Sequence, residues 1–119
     1  MVLPKKNRAK KKKLFSEIFK KGRSLKGDLF FAKILENNLS ITRIGFIISS
    51  KITKKAVKRN LLRRRVLEAA RLILKEFGIK GWDIIFIARP ALNNAKFEDL
   101  RNDIECLFQK AKIIKKRNV

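Results

Sequence analysis

The sequence predicts an α+β fold, a small mixed sheet packed with helices in the order α-β-β-α-β-α. Two observations set this class: apolar residues recur at helical spacing in three segments, and three short runs rich in Phe and Ile lie between them. A third sets the scale. The 119 residues suffice for one compact core and fall short of two ordinary domains. Residues 1–119 are therefore read as a single domain, a two-layer sandwich with helices covering one face of the sheet.

The opening residues 1–9 are basic and contain Pro4, and read as an extended N-terminal arm. From Lys10 to Lys21 the residues Leu14, Phe15, Ile18 and Phe19 form two pairs spaced four apart along one side of a helix, with Gly22 as its stop. Leu14 and Ile18 are expected in the core. Phe15 and Phe19 lie at the edge of the apolar stripe, where such residues either pack inward or line a groove. Residues 28–35 and 41–49 read as two antiparallel strands joined by the polar turn 36–40.

From about Thr53 the pattern is helical: Leu62, Val66, Ala69, Ala70, Ile73 and Phe77 keep one stripe until Gly78 ends it. Residues 82–88 form an apolar run after Gly81 and read as a buried strand, closed by Arg89-Pro90 because proline disfavours continuation of a central strand. This strand and the second one, joined through the long helix, are expected to be a parallel pair. The last helix runs from about Lys96 to Ile114, with Phe97, Leu100, Ile104, Leu107, Phe108 and Ala111 at helical spacing. Glu98 and Asp99 sit in its first turn, where the helix dipole favours acids. Cys106 falls in this pattern as a small core filler, and residues 115–119 read as a disordered tail.

Lys and Arg number 32 against 10 Asp and Glu, a formal charge of +22. Self-repulsion at that charge opposes the compact state, so it calls for an anionic partner, nucleic acid or an anionic surface. There is no His and Cys106 is the only Cys, which excludes a Cys/His nucleophile pair, a disulfide framework and a zinc-finger spacing. No apolar run is long enough to span a bilayer, and no apolar signal segment follows the N-terminal lysines. The expectation is a soluble cytoplasmic protein with no membrane partner and no small-molecule substrate.

The charge is also localised. Between Lys51 and Arg65 stand eight basic residues (Lys51, Lys54, Lys55, Lys58, Arg59, Arg63, Arg64 and Arg65) and no acid, whereas four of the ten acids lie in the last helix. Arg59 and Arg63 are four apart, with Asn60, Arg64 and Arg71 on the neighbouring strip, so guanidinium forks project from one side and suit phosphate oxygens. An ordinary solvated helix face would carry acids for i,i+4 pairing, and here none occurs before Glu68. Phe15 and Phe19 offer this surface an aromatic partner, since unpaired bases stack on aromatic rings. Asp99 and Asp103, four apart among basic neighbours, read as an exposed helix face.

Residues 50–64, Ser-Lys-Ile-Thr-Lys-Lys-Ala-Val-Lys-Arg-Asn-Leu-Leu-Arg-Arg, resemble the signature of the bacterial ribonuclease P protein family, in which an Arg-Asn pair is followed after two positions by two basic residues. Leu3-Pro4-Lys5-Lys6-Asn7-Arg8, the Phe15 and Phe19 spacing, Arg43-Ile44-Gly45-Phe46 and the stretch from Trp82 to Arg89 are similar to it as well, in order. The family often carries a further Arg where this chain has Leu67, which falls on the polar strip between Arg64 and Arg71; Arg65 or Arg71 could stand in for it.

The resemblance implies a subunit of the ribozyme that removes the 5′ leader from precursor tRNA, with the catalytic groups and the Mg2+ ions on the RNA and no catalytic residue, metal ligand or tightly bound cofactor on this chain. It implies a ribozyme-facing surface of Lys54, Lys55, Lys58, Arg59, Asn60, Arg63 and Arg64. It also implies a cleft for the single-stranded leader lined by Arg8, Lys12, Phe15, Phe19, Arg43, Ser49 and Lys51. The fold it implies is like one domain of a small-subunit ribosomal protein, with a left-handed crossover between the parallel strands where general rules favour a right-handed one. A ribosomal or chaperone-like RNA-binding protein would share the charge and fold without affecting leader cleavage. A membrane-surface protein would bind liposomes, and a self-sufficient nuclease would cleave with no added RNA.

Overall fold

The structure, a computed structural model, describes residues 12–114; the expected arm and tail, and Arg8 with them, lie outside. The chain runs α1 (Lys12–Lys21), β1 (Arg23–Lys26), β2 (Phe30–Glu36), β3 (Arg43–Ile47), α2 (Ala56–Phe77), β4 (Trp82–Ala88), a 3-10 turn (Pro90–Asn94) and α3 (Phe97–Lys110). The strands form one mixed sheet in the order β1-β2-β4-β3, so the α+β class holds.

The order differs from the expected one at two places. β1 was not expected: it is a mostly exposed edge strand that pairs antiparallel with β2 through a tight turn in which the Gly27 N–H donates to the Phe30 carbonyl at 2.8 Å. The 28–35 and 41–49 strands run in opposite directions as expected, yet they are not neighbours. β4 lies between them, antiparallel to β2 and parallel to β3. The physical reason is burial, since Ile84, Ile85 and Phe86 are all fully enclosed and a strand apolar on both faces belongs at the sheet's centre. The expected parallel pair is the β3-β4 ladder.

Alternation along the strands divides the sheet into two faces. Phe30, Ala32 and Ile34 of β2, Ile44 and Phe46 of β3, and Ile84, Phe86 and Ala88 of β4 join the main core with α2 and α3. Phe30 packs edge-on to Phe46, and Phe86 lies tilted between Phe30 and Phe108, so aromatic rings link sheet to helix. On the opposite face Ile85 is also fully buried, and α1 packs against β2 and β4 with its own Ile18 fully buried. The helices therefore cover both faces, which corrects the one-face expectation.

α2 buries Leu62, Val66, Leu67, Ala69, Ala70 and Ile73. Leu67 is thus core, not part of the polar strip. α2 is flanked by both the sheet and α3, and burial on two sides widens its apolar sector to include Leu67. Gly78 ends the helix in the left-handed conformation, with its N–H bonded to the Leu74 carbonyl.

α3 corrects two further expectations. Cys106 is an exposed free thiol, and Asp103 is buried. The Asp103 carboxylate accepts the Asp28 N–H at 3.0 Å and the Leu29 N–H at 3.1 Å, pinning the β1-β2 turn to α3. The same region is tied by Arg23 donating to the Ala111 carbonyl and by Lys110 donating to the Lys26 carbonyl. Among the described residues no helix is long and apolar enough to cross a membrane.

Candidate nucleic-acid interface

The basic surface is built on the turn that leaves β3 and on the first half of α2. The Ile52 N–H donates to the Ser49 carbonyl at 3.0 Å and the Lys51 N–H to Ser49 Oγ at 3.1 Å, which closes the front of the turn. Ile52 anchors it by packing against the core. Ser49, Lys51, Lys54 and Lys55 are left exposed. α2 then starts at Ala56, a few residues later than Thr53, with no side-chain cap on Lys55 and no acid in its first turn.

The predicted ribozyme-facing residues all fall on this turn and the first half of α2, but they differ in exposure and in what they bond. Lys54, Lys55, Asn60, Arg63 and Arg64 are exposed, as is Arg65, while Lys58 and Arg59 are half-buried. Arg63 donates to Asn60 Oδ1 at 3.1 Å, one helical turn away, which holds an amide and a guanidinium side by side on the surface. Arg59 is turned back instead: its Nη1 donates to the Thr53 and Lys54 carbonyls, both at 2.9 Å. Arg71 is engaged as well. It pairs with Glu68 through two bonds of 2.6 and 3.1 Å, and that hydrogen bonding lowers the Glu68 pKa, so Arg71 is not a spare cation for the position Leu67 occupies.

Of the predicted leader-cleft residues, Phe15, Phe19 and Arg43 lie on the α1 side of the sheet, whereas Ser49 and Lys51 stand in the turn that leaves β3. Phe15 is half-buried and Phe19 is 39% exposed, one turn apart beside the fully buried Ile18. Ile18 is the expected core residue; the side chains of Leu14 and Lys12 lie outside the described residues. Arg43 opens β3 on the same face and forms a two-pronged pair with the buried Asp83, its direct partner across the parallel ladder, at 2.7 and 2.8 Å. That hydrogen bonding raises the Arg43 pKa against the opposing effect of desolvation, with Glu17 of α1 adding attraction. Asp83 also accepts from Asn37 Nδ2 at 2.9 Å, so Arg43 faces this cleft with two nitrogens already held in a network.

Sequence reasoning missed Phe31. It lies on this same face, is 42% exposed, and carries the Arg89 guanidinium 5.0 Å from its ring centroid. The signal was present in the alternation of β2, where Phe30 and Phe31 must point to opposite faces and only one can join the main core. Asp83 was also missed, because the residue that gives it a purpose is 40 positions away.

A small α+β domain with an acid-free run of cations opening one helix and exposed aromatic rings on the other face of its sheet has the build of an RNA-binding ribonucleoprotein subunit. The family model described as Ribonuclease P matches residues 3–112. The chain is 37% identical over 111 residues to the ribonuclease P protein component of Dehalococcoides mccartyi, covering 92% of this chain and 88% of that one. It is 34% identical over 109 residues to the corresponding protein of Clostridium botulinum, covering 92% and 97%. Among solved structures, the RNase P protein of Staphylococcus aureus superposes with a TM-score of 0.79 at 30% identity, covering 90% of this chain and 96% of that chain. The RNase P protein of Thermotoga maritima gives 0.75 at 30%, covering 87% and 96%. The chain belongs to the ribonuclease P protein family, and so is a subunit of a tRNA-processing endoribonuclease.

Proposed function

We propose that the chain assists a catalytic RNA in removing the 5′ leader of precursor tRNA, binding the ribozyme RNA through the first half of α2 and the single-stranded leader on the α1 side of the sheet. The observation that carries this reading is the segregated charge. Lys54, Lys55, Lys58, Asn60, Arg63 and Arg64 share one surface with no carboxylate between Lys51 and Arg65, which suits a phosphate backbone. Phe15, Phe19 and Phe31 supply ring faces for unpaired bases beside it.

In this reading the catalytic groups and the Mg2+ ions that supply metal-assisted hydrolysis belong to the RNA. Five of the ten carboxylates hold the fold. Asp83 is paired with Arg43, Glu68 with Arg71 and Glu76 with Arg101, while Asp99 and Asp103 accept backbone N–H groups. Among the described residues no three Cys, Asp or Glu side chains stand close enough together to hold a metal ion.

The test is cleavage of a precursor tRNA by a bacterial ribonuclease P RNA at low magnesium, with and without the chain. Accurate leader removal only when both are present is the expected result. Arg63→Gln and Arg64→Gln should each reduce the slope of log Kobs against log salt for RNA binding by about one. Binding of both RNAs with cleavage unchanged would assign the chain to the general RNA-binding class.

A further inference from the structure

Arg59 stands in the middle of the basic run and would be counted with the phosphate-gripping residues, but its geometry differs from that of Arg63 and Arg64. Both Nη1 hydrogen bonds point back along the chain, to the Thr53 and Lys54 carbonyls at 2.9 Å each, and the side chain is half-buried. The turn they close needs such a clamp. It carries Lys51, Lys54 and Lys55, runs into the positive end of a 22-residue helix with no side-chain cap, and has no carboxylate nearby in sequence. Ser49 and Ile52 hold its front; of the side chains with described bonds, Arg59 alone holds its back.

We infer that Arg59 is a positioning residue: it bridges the Thr53 and Lys54 carbonyls to fix the 51–55 turn, and so aims Lys54 and Lys55 at the RNA, rather than gripping a phosphate itself. This rests on the reading of the basic face as the RNA-binding surface and adds a division of labour within it. The geometry also says why arginine is needed. A guanidinium nitrogen presents two fixed hydrogens in a plane, whereas a lysine ammonium is a compact, strongly hydrated charge on a flexible stem.

The experiment compares Arg59→Lys and Arg59→Ala with the parent chain in two readouts: amide hydrogen exchange of the free protein, and the salt dependence of binding to a bacterial ribonuclease P RNA. If Arg59 positions the turn, both variants speed exchange at residues 51–55 and leave residues 62–73 protected. Both should then also lower the salt slope by about two, one for each of Lys54 and Lys55, although Arg59→Lys keeps the charge. A direct phosphate contact gives a different pattern, a slope lower by about one in Arg59→Ala and unchanged in Arg59→Lys. That pattern, or unchanged exchange at 51–55 in Arg59→Ala, overturns the inference. The combined Lys54→Gln, Lys55→Gln and Arg63→Gln variant separates the two levels: if it binds RNA with the parent slope, the basic-face reading itself fails, whatever Arg59 does.

Discussion

The contact between Asp103 and the β1-β2 turn makes a sharp prediction, because two substitutions there should rescue one another. In Asp103→Ala the Asp28 and Leu29 N–H groups lose a carboxylate acceptor. Hydrogen bonds to charged groups contribute about 1.5–3 kcal/mol each. The two are not equivalent: Asp28 is an exposed residue, so water reaches its N–H, whereas Leu29 and its N–H are buried. The expected loss is therefore near the value for one unsatisfied group plus a fraction of the other, about 3 kcal/mol, or roughly 10 °C in Tm for a domain of this size.

Gly27 faces the same carboxylate. A Cβ added there would lie 2.7 and 2.9 Å from the two carboxylate oxygens, closer than contact allows, so Gly27→Ala should cost about 1–3 kcal/mol by overpacking. Once Asp103 is alanine the obstruction is gone. The double variant should then be more stable than the sum of the singles predicts, with a coupling of about 1 kcal/mol or more, measured by urea denaturation of all four proteins. Additivity within about 0.5 kcal/mol would refute the contact, and so would an Asp103→Ala loss below about 1 kcal/mol.

Other positions give shorter tests. Leu67→Ala should destabilise the chain by about 2–4 kcal/mol through cavity formation, while leaving the salt slope of RNA binding unchanged; a lower slope with intact stability would return Leu67 to the surface strip. Phe19→Ala should weaken binding of a single-stranded leader with little effect on Tm, whereas Ile18→Ala, at a fully buried position, should cost about 2–5 kcal/mol. Equal Tm losses at the two positions would place Phe19 in the core. The Arg71 hydrogen bond lowers the Glu68 pKa below its ordinary 4.5. A depressed carboxyl pKa contributes stability that is present above the unfolded value and lost as pH falls through the folded one. The stability gap between the parent and Arg71→Gln should therefore shrink on going from pH 6 to pH 3, and a gap that widens in acid would contradict the pairing.

The elements with strong local patterns were legible in the sequence, and those made by pairing were not. The α2 stripe, its Gly78 stop and the Trp82–Ala88 strand needed only spacing and backbone chemistry. β1 had no such signal. Its Arg-Ser-Leu-Lys offers one apolar residue, and it is a strand because β2 presents a free edge beside it. The polar turn after β2 is real, with the Leu39 N–H bonded to Asn37 Oδ1 and Asn38 at positive φ, yet a turn signal cannot say whether the next strand is a neighbour. That choice was made by β4, which arrives later in the chain and takes the central slot. For the candidate site the cations were legible and their engagement was not. The pairs Arg43 with Asp83 and Asp103 with the 28–29 backbone join residues 40 and about 75 positions apart, beyond the reach of any local pattern.

The placement of the acids explains how a chain of charge +22 folds while keeping one face uncompensated. Asp83 secures the start of β4 to β3, Asp103 secures the β1-β2 turn to α3, Glu76 pairs with Arg101 between α2 and α3, and Glu68 pairs with Arg71 within α2. The first three stabilise junctions of the fold, the fourth lies along one helix, and none stands within the turn or the first turns of α2. The repulsion among Lys51, Lys54, Lys55, Lys58, Arg59, Arg63, Arg64 and Arg65 is consequently left for solvent ions to screen. Two effects of salt follow with opposite sign. Raising salt should stabilise the free protein, by screening a self-repelling surface, while weakening its complex with RNA, by removing the gain from released counterions. A surface whose cations were paired within the protein would show neither trend strongly, so the two salt dependences, measured on one preparation, report the same uncompensated face from its two sides.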